Sequence, residues 1–318
     1  MRFRPWLLCL LLTTTVPAAA ATLAEADAWL KAKDARAAPA IAALVKAHPE
    51  SAEARILQAR LLLQQGKADD AIDAADEAVD LAPDNAQAHY WLGNAYGTQI
   101  GRVGTMSQAF MAPKLRDAFE RAIALDPNLH DARTSLMEYY LQAPAMVGGS
   151  VEKARAQAAE LDRRDPPRGH YARARLAEHD KQPEVAAKAY LAAWEARPES
   201  TTYRTAAGLV LQETKQWQRA FALYQAWTAE DPKAASAWYQ LGRTAALSGQ
   251  QLDVGAAAFK TYLSLPRVSG QPEAHHAWYR LGQVQAQAGD KAAARASFQQ
   301  ALKGEPGNAD FKAALSAL

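Results

Sequence analysis

The sequence of 318 residues holds a single cysteine, Cys9. One thiol cannot form an intrachain disulfide, and zinc motifs built on paired cysteines are excluded with it. Charge of one sign is equally lacking, with 36 Lys and Arg against 34 Asp and Glu. That balance gives no overall pull toward nucleic acid or an anionic membrane surface. None of the seven histidines stands in an H-E-x-x-H arrangement, and no G-x-S-x-G elbow, phosphate-binding glycine loop or dinucleotide fingerprint occurs. His275 and His276 are adjacent, so on a helix they diverge by about 100° and are not expected to share an ion. No catalytic residue, metal site or cofactor is expected, and the enzyme reading has no constellation to rest on.

Long hydrophobic runs are also missing. The N-terminus, MRFRPWLLCLLLTTTVPAAAA, has Arg2 and Arg4, a short apolar run from Trp6 to Leu12, and an A-x-A site at 18–20 or 19–21. These features read as a cleavable secretory signal over residues 1–21, too short to span a bilayer. Leu8 precedes Cys9 where a lipoprotein signal wants Gly or Ala, so lipidation is not expected. Loss of the signal removes Cys9, Arg2 and Arg4 and leaves 34 basic against 34 acidic residues. No later segment approaches the roughly 20 apolar residues of a membrane helix. The expected product is periplasmic or secreted, without an integral membrane segment.

What is present is repetition. AWYQLG at Ala237–Gly242 returns as AWYRLG at Ala277–Gly282, and Leu92-Gly93 with Tyr96 fits the same frame. Prolines close the units at 49, 83, 127, 166, 198, 232, 266 and 306, with 34 as the base spacing. Apolar letters lie three, four or seven apart, the mark of helices with one buried face. Small residues at Gly93, Gly242 and Gly282 allow two helices to approach closely. Proline cannot continue the second helix.

The pattern resembles the tetratricopeptide repeat, W-x2-L-G-x2-Y followed by Ala, Phe, Ala and Pro, across residues 22–318. The resemblance implies an all-α, right-handed α-solenoid of about eight helical hairpins with a C-terminal capping helix at Asp310–Leu318. It also implies a protein or peptide partner and a scaffold or assembly role. By family position the inner groove carries Arg60, Tyr90, Asn94, Thr205, Gln212, Tyr239, Arg243, Tyr279 and Gln283, with Gln87, Thr202 and His276 beside them. The Lys and Asn clamp by which some members hold a terminal carboxylate is not expected, because Tyr90, Ser135 and Gln240 occupy its positions.

The period breaks twice. Ten extra residues fall within 100–114 and five within 143–150, at equivalent points of adjacent units. Insertions so placed sit on one rim of a solenoid and often join the binding face. Met106, Phe110, Met111 and Met146 make these stretches apolar, and a flap that helps hold a partner is one expectation. Packing of the same groups onto their own helices is the other. Charge is uneven too, −6 over Gly66–Asn85 and +3 over Ser150–Leu176. Solvated outer faces explain this, and salt-sensitive self-association is the alternative. A rival function, a component of polysaccharide export or secretion that grips glycan by Trp and Tyr faces, is weakened because Trp238 and Trp278 stand at packing positions.

Overall fold

The computed structural model describes residues 21–267 and 270–318, and all regular structure among them is helical. The expected signal segment lies outside the described residues, apart from Ala21. Two compact units divide the described residues, the boundary falling between Gln157 and Ala158. In the first unit the helices pair as α1 (Leu23–Lys31) with α2 (Ala37–Ala47), α3 (Ala52–Gln64) with α4 (Ala68–Leu81), and α5 (Ala86–Ile100) with α6 (Thr105–Leu125). α7 (His130–Gln142) and a single 3₁₀ turn (Ala145–Val147) follow, and the division falls within α8 (Val151–Arg164). In the second unit α9 (Pro166–His179) pairs with α10 (Pro183–Ala196), and α11 (Thr201–Glu213) with α12 (Trp217–Glu230). α13 (Ala235–Ser248) with α14 (Leu252–Ser264), α15 (Ala274–Gln287) with α16 (Lys291–Gly304), and the lone α17 (Ala309–Ser316) complete it.

Each of the eight closing prolines lies two residues beyond the last residue of a second helix. At four of them the turn also caps the next helix. In His48–Ser51, Ala82–Asn85, Arg197–Ser200 and Glu305–Asn308 the fourth N–H returns to the first carbonyl at 3.0–3.2 Å, with proline second. Proline is suited to that position because its φ is already set. The fourth residue then caps the following helix: Ser51 accepts from Ala54 N, Asn85 from Gln87 N, Ser200 from Tyr203 N and Asn308 from Phe311 N. Thr22 opens α1 with a reciprocal capping box to Glu25.

The glycine of the first helix meets an aromatic ring of its own hairpin. A Cβ on Gly242 would lie 2.7 Å from Phe259, and one on Gly282 2.6 Å from Phe298. Gly208 faces Tyr224 in the same way. The ring replaces the missing side chain, and the buried apolar faces form clusters such as Leu211, Phe221, Tyr224, Leu241, Phe259 and Leu281. Stacked hairpins of this kind bury faces that no hairpin could bury alone. α17 closes the second unit by burying Phe311.

Gly93 and Phe119 make the same pair across 26 positions, where 16 or 17 separate the others, so about ten further residues lie between them. They do not form a flap. The chain turns over four residues after Ile100 and spends the rest lengthening α6 to 21 residues. Gln108 fixes that turn, donating from Nε2 to the carbonyls of Ile100 at 3.1 Å and Val103 at 3.0 Å. No described helix is long and apolar enough to cross a membrane; α6 has the length but carries Lys114, Arg116, Asp117, Glu120 and Arg121.

Candidate functional site

The lengthened α6 forms one wall of a groove of about 640 Å³ in the first unit, with α5 and α7 as floor and opposite wall. Its apolar lining comes from Ala112, Leu115, Phe119 and, at the rim, Ile100, Met146 and Val147. Amides and hydroxyls supply the rest: Asn94, Thr98, Gln108, Thr134, Ser135 and Gln142. Glu138 is the one charged lining residue among those described, and no Lys or Arg lines the groove. Pro113 has no N–H, so the carbonyl of Ala109, another lining residue, lacks its helical donor.

Polar groups here keep free hydrogen-bonding capacity. Asn94 donates from Nδ2 to the carbonyl of Tyr90 at 2.8 Å, and its oxygen is left to accept. Thr98 and Thr134 donate to carbonyls one turn back at 2.9 Å and keep their lone pairs. The second insertion closes one end. Gly149 N–H bonds the Pro144 carbonyl at 3.1 Å, Ser150 N–H bonds that of Tyr140 at 2.8 Å, and the Tyr139 hydroxyl donates to Val147 O. Burial pushes the Tyr139 hydroxyl up, so it remains a donor at neutral pH; the nearby Arg116 charge only partly offsets this.

The expected groove residues separate into two groups. Asn94 lines the groove itself, and Arg60, Tyr90 and Gln87 line an adjoining hollow of about 680 Å³ between α1, α3 and α5. Arg60 is already engaged there, paired with Asp27 at 2.6 Å and lying over Trp91. In the second unit Thr205 lines a separate hollow of about 480 Å³ beside Tyr171 and Tyr190. The remaining residues are engaged in contacts within the second unit. Gln212 is 3% exposed; its Nε2 donates to Gln240 O at 3.1 Å and Thr244 Oγ1 at 2.8 Å, and Arg243 donates to its Oε1. Tyr239, 8% exposed, packs edge-on against Phe259 and Tyr262. Tyr279 stacks on Phe311 at 4.6 Å, and Gln283 accepts from Arg280. A family position sets which way a side chain points, but a large neighbour on the next helix can still cover it.

The insertion residues divide in the same way. Met146 lines the groove rim while 90% exposed. Met106 and Phe110, 78% and 74% exposed, lie on the face of α6 away from the groove, and Met111 is half-buried on its flank. The apolar flap is therefore corrected to an extended helix whose opposite face lines the groove.

Several groove residues were within reach of the same positional count. Continued onto the fourth unit it gives Asp131, Thr134 and Glu138; the last two line the groove and Asp131 the adjoining hollow. Gln108 and Leu115 depend on the insertion becoming helix, which its Pro113 and glycines obscured. Arg163, Arg168, Arg173 and Arg175 pair with Glu160, Asp165, Asp162 and Glu178, all within the second unit. The acidic stretch forms an exposed face of α4, where Glu77 meets Arg55, and continues into the following turn, where Asp84 meets Arg121.

Hairpins with a glycine–aromatic seam, closed by proline and presenting an inner groove, define a helical-repeat binding scaffold. A family profile of the tetratricopeptide repeat matches residues 33–86, 56–102 and 244–309. No curated protein matches the chain. Among solved structures, the APC/C hetero-tetramer Cut9-Hcn1 is similar with a TM-score of 0.56 at 14% identity, over 89% of this chain and 52% of that one. Human IFIT1, a dimer with PPP-AAAA, is similar with a TM-score of 0.50 at 17% identity, over 76% and 53%. TTC0263, a thermophilic repeat protein of Thermus thermophilus, shares 19% identity over 59% of this chain and 92% of its own, with a TM-score of 0.49. The chain thus spans about half the length of the Cut9-Hcn1 and IFIT1 chains. It carries tetratricopeptide repeats over residues 33–102 and 244–309, and its fold is that of the helical-repeat structures it resembles.

Proposed function

We propose that the chain is a non-enzymatic scaffold or assembly factor that holds an extended segment of a partner protein, or a peptide, in the groove of α5, α6 and α7. The observation that carries this reading is the composition of the groove: an apolar base flanked by amides and hydroxyls, with no Lys or Arg among the described lining residues. Asn and Gln side chains both donate and accept, as a peptide backbone requires. The fold is one that binds protein partners. Glycan recognition fits less well, since Trp238 donates to its own turn at Pro232 O, 2.9 Å away, and Trp238 and Trp278 pack against the core.

The working compartment in this proposal is the bacterial periplasm. Arg2, Arg4, the apolar run and the alanine site support it, and the first N-cap, Thr22, falls where the signal would end. N-terminal sequencing of the protein from a periplasmic extract should begin at residue 21 or 22; an uncleaved Met1 would reject the compartment.

Selection from a random-peptide library gives the direct test. Enriched peptides should bind the wild type, and Ser135→Trp, which fills the groove, should weaken them at least tenfold while Thr205→Ala does not. Equal binding to Ser135→Trp would refute the assignment.

A further inference from the structure

The first turn of α15 and the end of α16 meet at His275, His276 and Glu305. A Cβ on Gly304 would lie 2.6 Å from the Cβ of His275, so glycine at 304 is what lets the end of α16 come this close. Glu305, the C-cap of α16, thereby reaches the imidazoles, with its Oε2 3.6 Å from His275 Nε2. Adjacent helical side chains ordinarily diverge. Here the two rings are 4.3 Å apart, and both rest against Phe311 of α17 at 6.1 and 6.0 Å. One donor atom from each of the three residues lies within 4.8 Å of the others. The rings thus come together near Phe311 despite the roughly 100° that separates adjacent helical positions.

We propose that His275, His276 and Glu305 bind one divalent transition-metal ion, of the Zn²⁺ class. Two imidazoles and one carboxylate are a borderline donor set suited to such ions, with water free to complete the shell. Ligand distances of about 2.1 Å in a tetrahedral site place donors roughly 3.4 Å apart. His275 and Glu305 meet that separation already. His276 is exposed, so its ring closes the remaining gap by rotation. The bound ion ties the last repeat hairpin together beneath α17, at a place remote in sequence from the α5–α7 groove, and its presence is independent of the peptide-binding proposal.

Tag-free full chain titrated with Zn²⁺ by calorimetry should take up one ion. Co²⁺ should develop the visible absorption of a low-coordinate nitrogen and oxygen site. His276→Ala and Glu305→Gln, both at exposed side chains, should each weaken binding at least tenfold, and together abolish it. His89→Ala, far from the cluster in sequence, should leave affinity unchanged. Circular dichroism before each titration verifies that the variants are folded. Absence of saturable uptake by the wild type would overturn the proposal, as would full affinity in the double variant.

Discussion

A Cβ built on Gly93 lies 2.5 Å from Cε1 of Phe119, closer than any real side chain tolerates. The same clash recurs at Gly242 with Phe259 and at Gly282 with Phe298. Replacing glycine by alanine inside a helix normally stabilises it by about 1 kcal/mol. Here the sign should invert. Gly93→Ala, Gly242→Ala and Gly282→Ala should each destabilise by about 1–3 kcal/mol, the usual result of overpacking, read as a lower midpoint in urea unfolding. A stabilised alanine variant would mean that the seam is looser than described.

Residues consumed by packing should report on stability and not on binding. Tyr239→Ala should destabilise by about 3–5 kcal/mol, like other truncations of buried aromatics. Gln212→Ala should remove about 1–3 kcal/mol by taking the buried donor from Thr244 Oγ1 and the acceptor from Arg243. Where these variants remain folded, affinity for a selected peptide should stay within twofold of wild type. A large affinity loss without loss of stability would return both residues to a binding role.

The insertions should behave as groove walls. Gly149 has the Ala143 carbonyl where its side chain would be, so Gly149→Ala should displace the segment that carries Met146 and Val147. Peptide affinity should fall while the unfolding midpoint moves little. Met106→Ser and Phe110→Ser, on the exposed opposite face of α6, should change stability by less than about 0.5 kcal/mol and leave affinity unchanged.

Much of this was legible in the sequence, for identifiable reasons. The closing prolines follow a local backbone rule, each lying two residues beyond a helix end, and the glycines stand where two helices approach closely. The function of Tyr239 was not legible, because whether a tyrosine lines a groove or fills a core depends on Phe259 and Tyr262 from the facing helix. The first insertion reads as a flap because Met106, Phe110 and Met111 make it apolar at a point where most units have only a turn. In the structure Gly101 and Gly104 make one short turn, and α6 continues through Pro113 with Gln108 holding its start. The turn rule joining Pro49 to Ser51 and Pro83 to Asn85 is present in the letters, but only the helix start that follows each proline makes it visible.

Stability should weaken in acid through Asp165. Burial alone would raise this carboxyl, but hydrogen bonds and charge from Arg197 and Arg168 bring it below the ordinary carboxylate range. A lowered folded-state value means the contribution is present above the unfolded value, near 4, and is lost as pH falls through the folded one. The stability gap between wild type and Asp165→Asn should therefore be widest at pH 6–7 and shrink below about pH 4. Urea titrations at pH 3, 5 and 7 measure it; a gap that grows in acid would contradict the pairing.

The central claim, that a polypeptide segment is held between α5, α6 and α7, is tested most directly by site-specific photocrosslinking in the native host. A photoreactive residue at position 135, within the groove, should capture a discrete partner, and an excess of selected peptide should suppress that capture. The same residue at position 195, on α10, should capture none. Crosslinking that is equal at both positions, or indifferent to the peptide, would contradict the account.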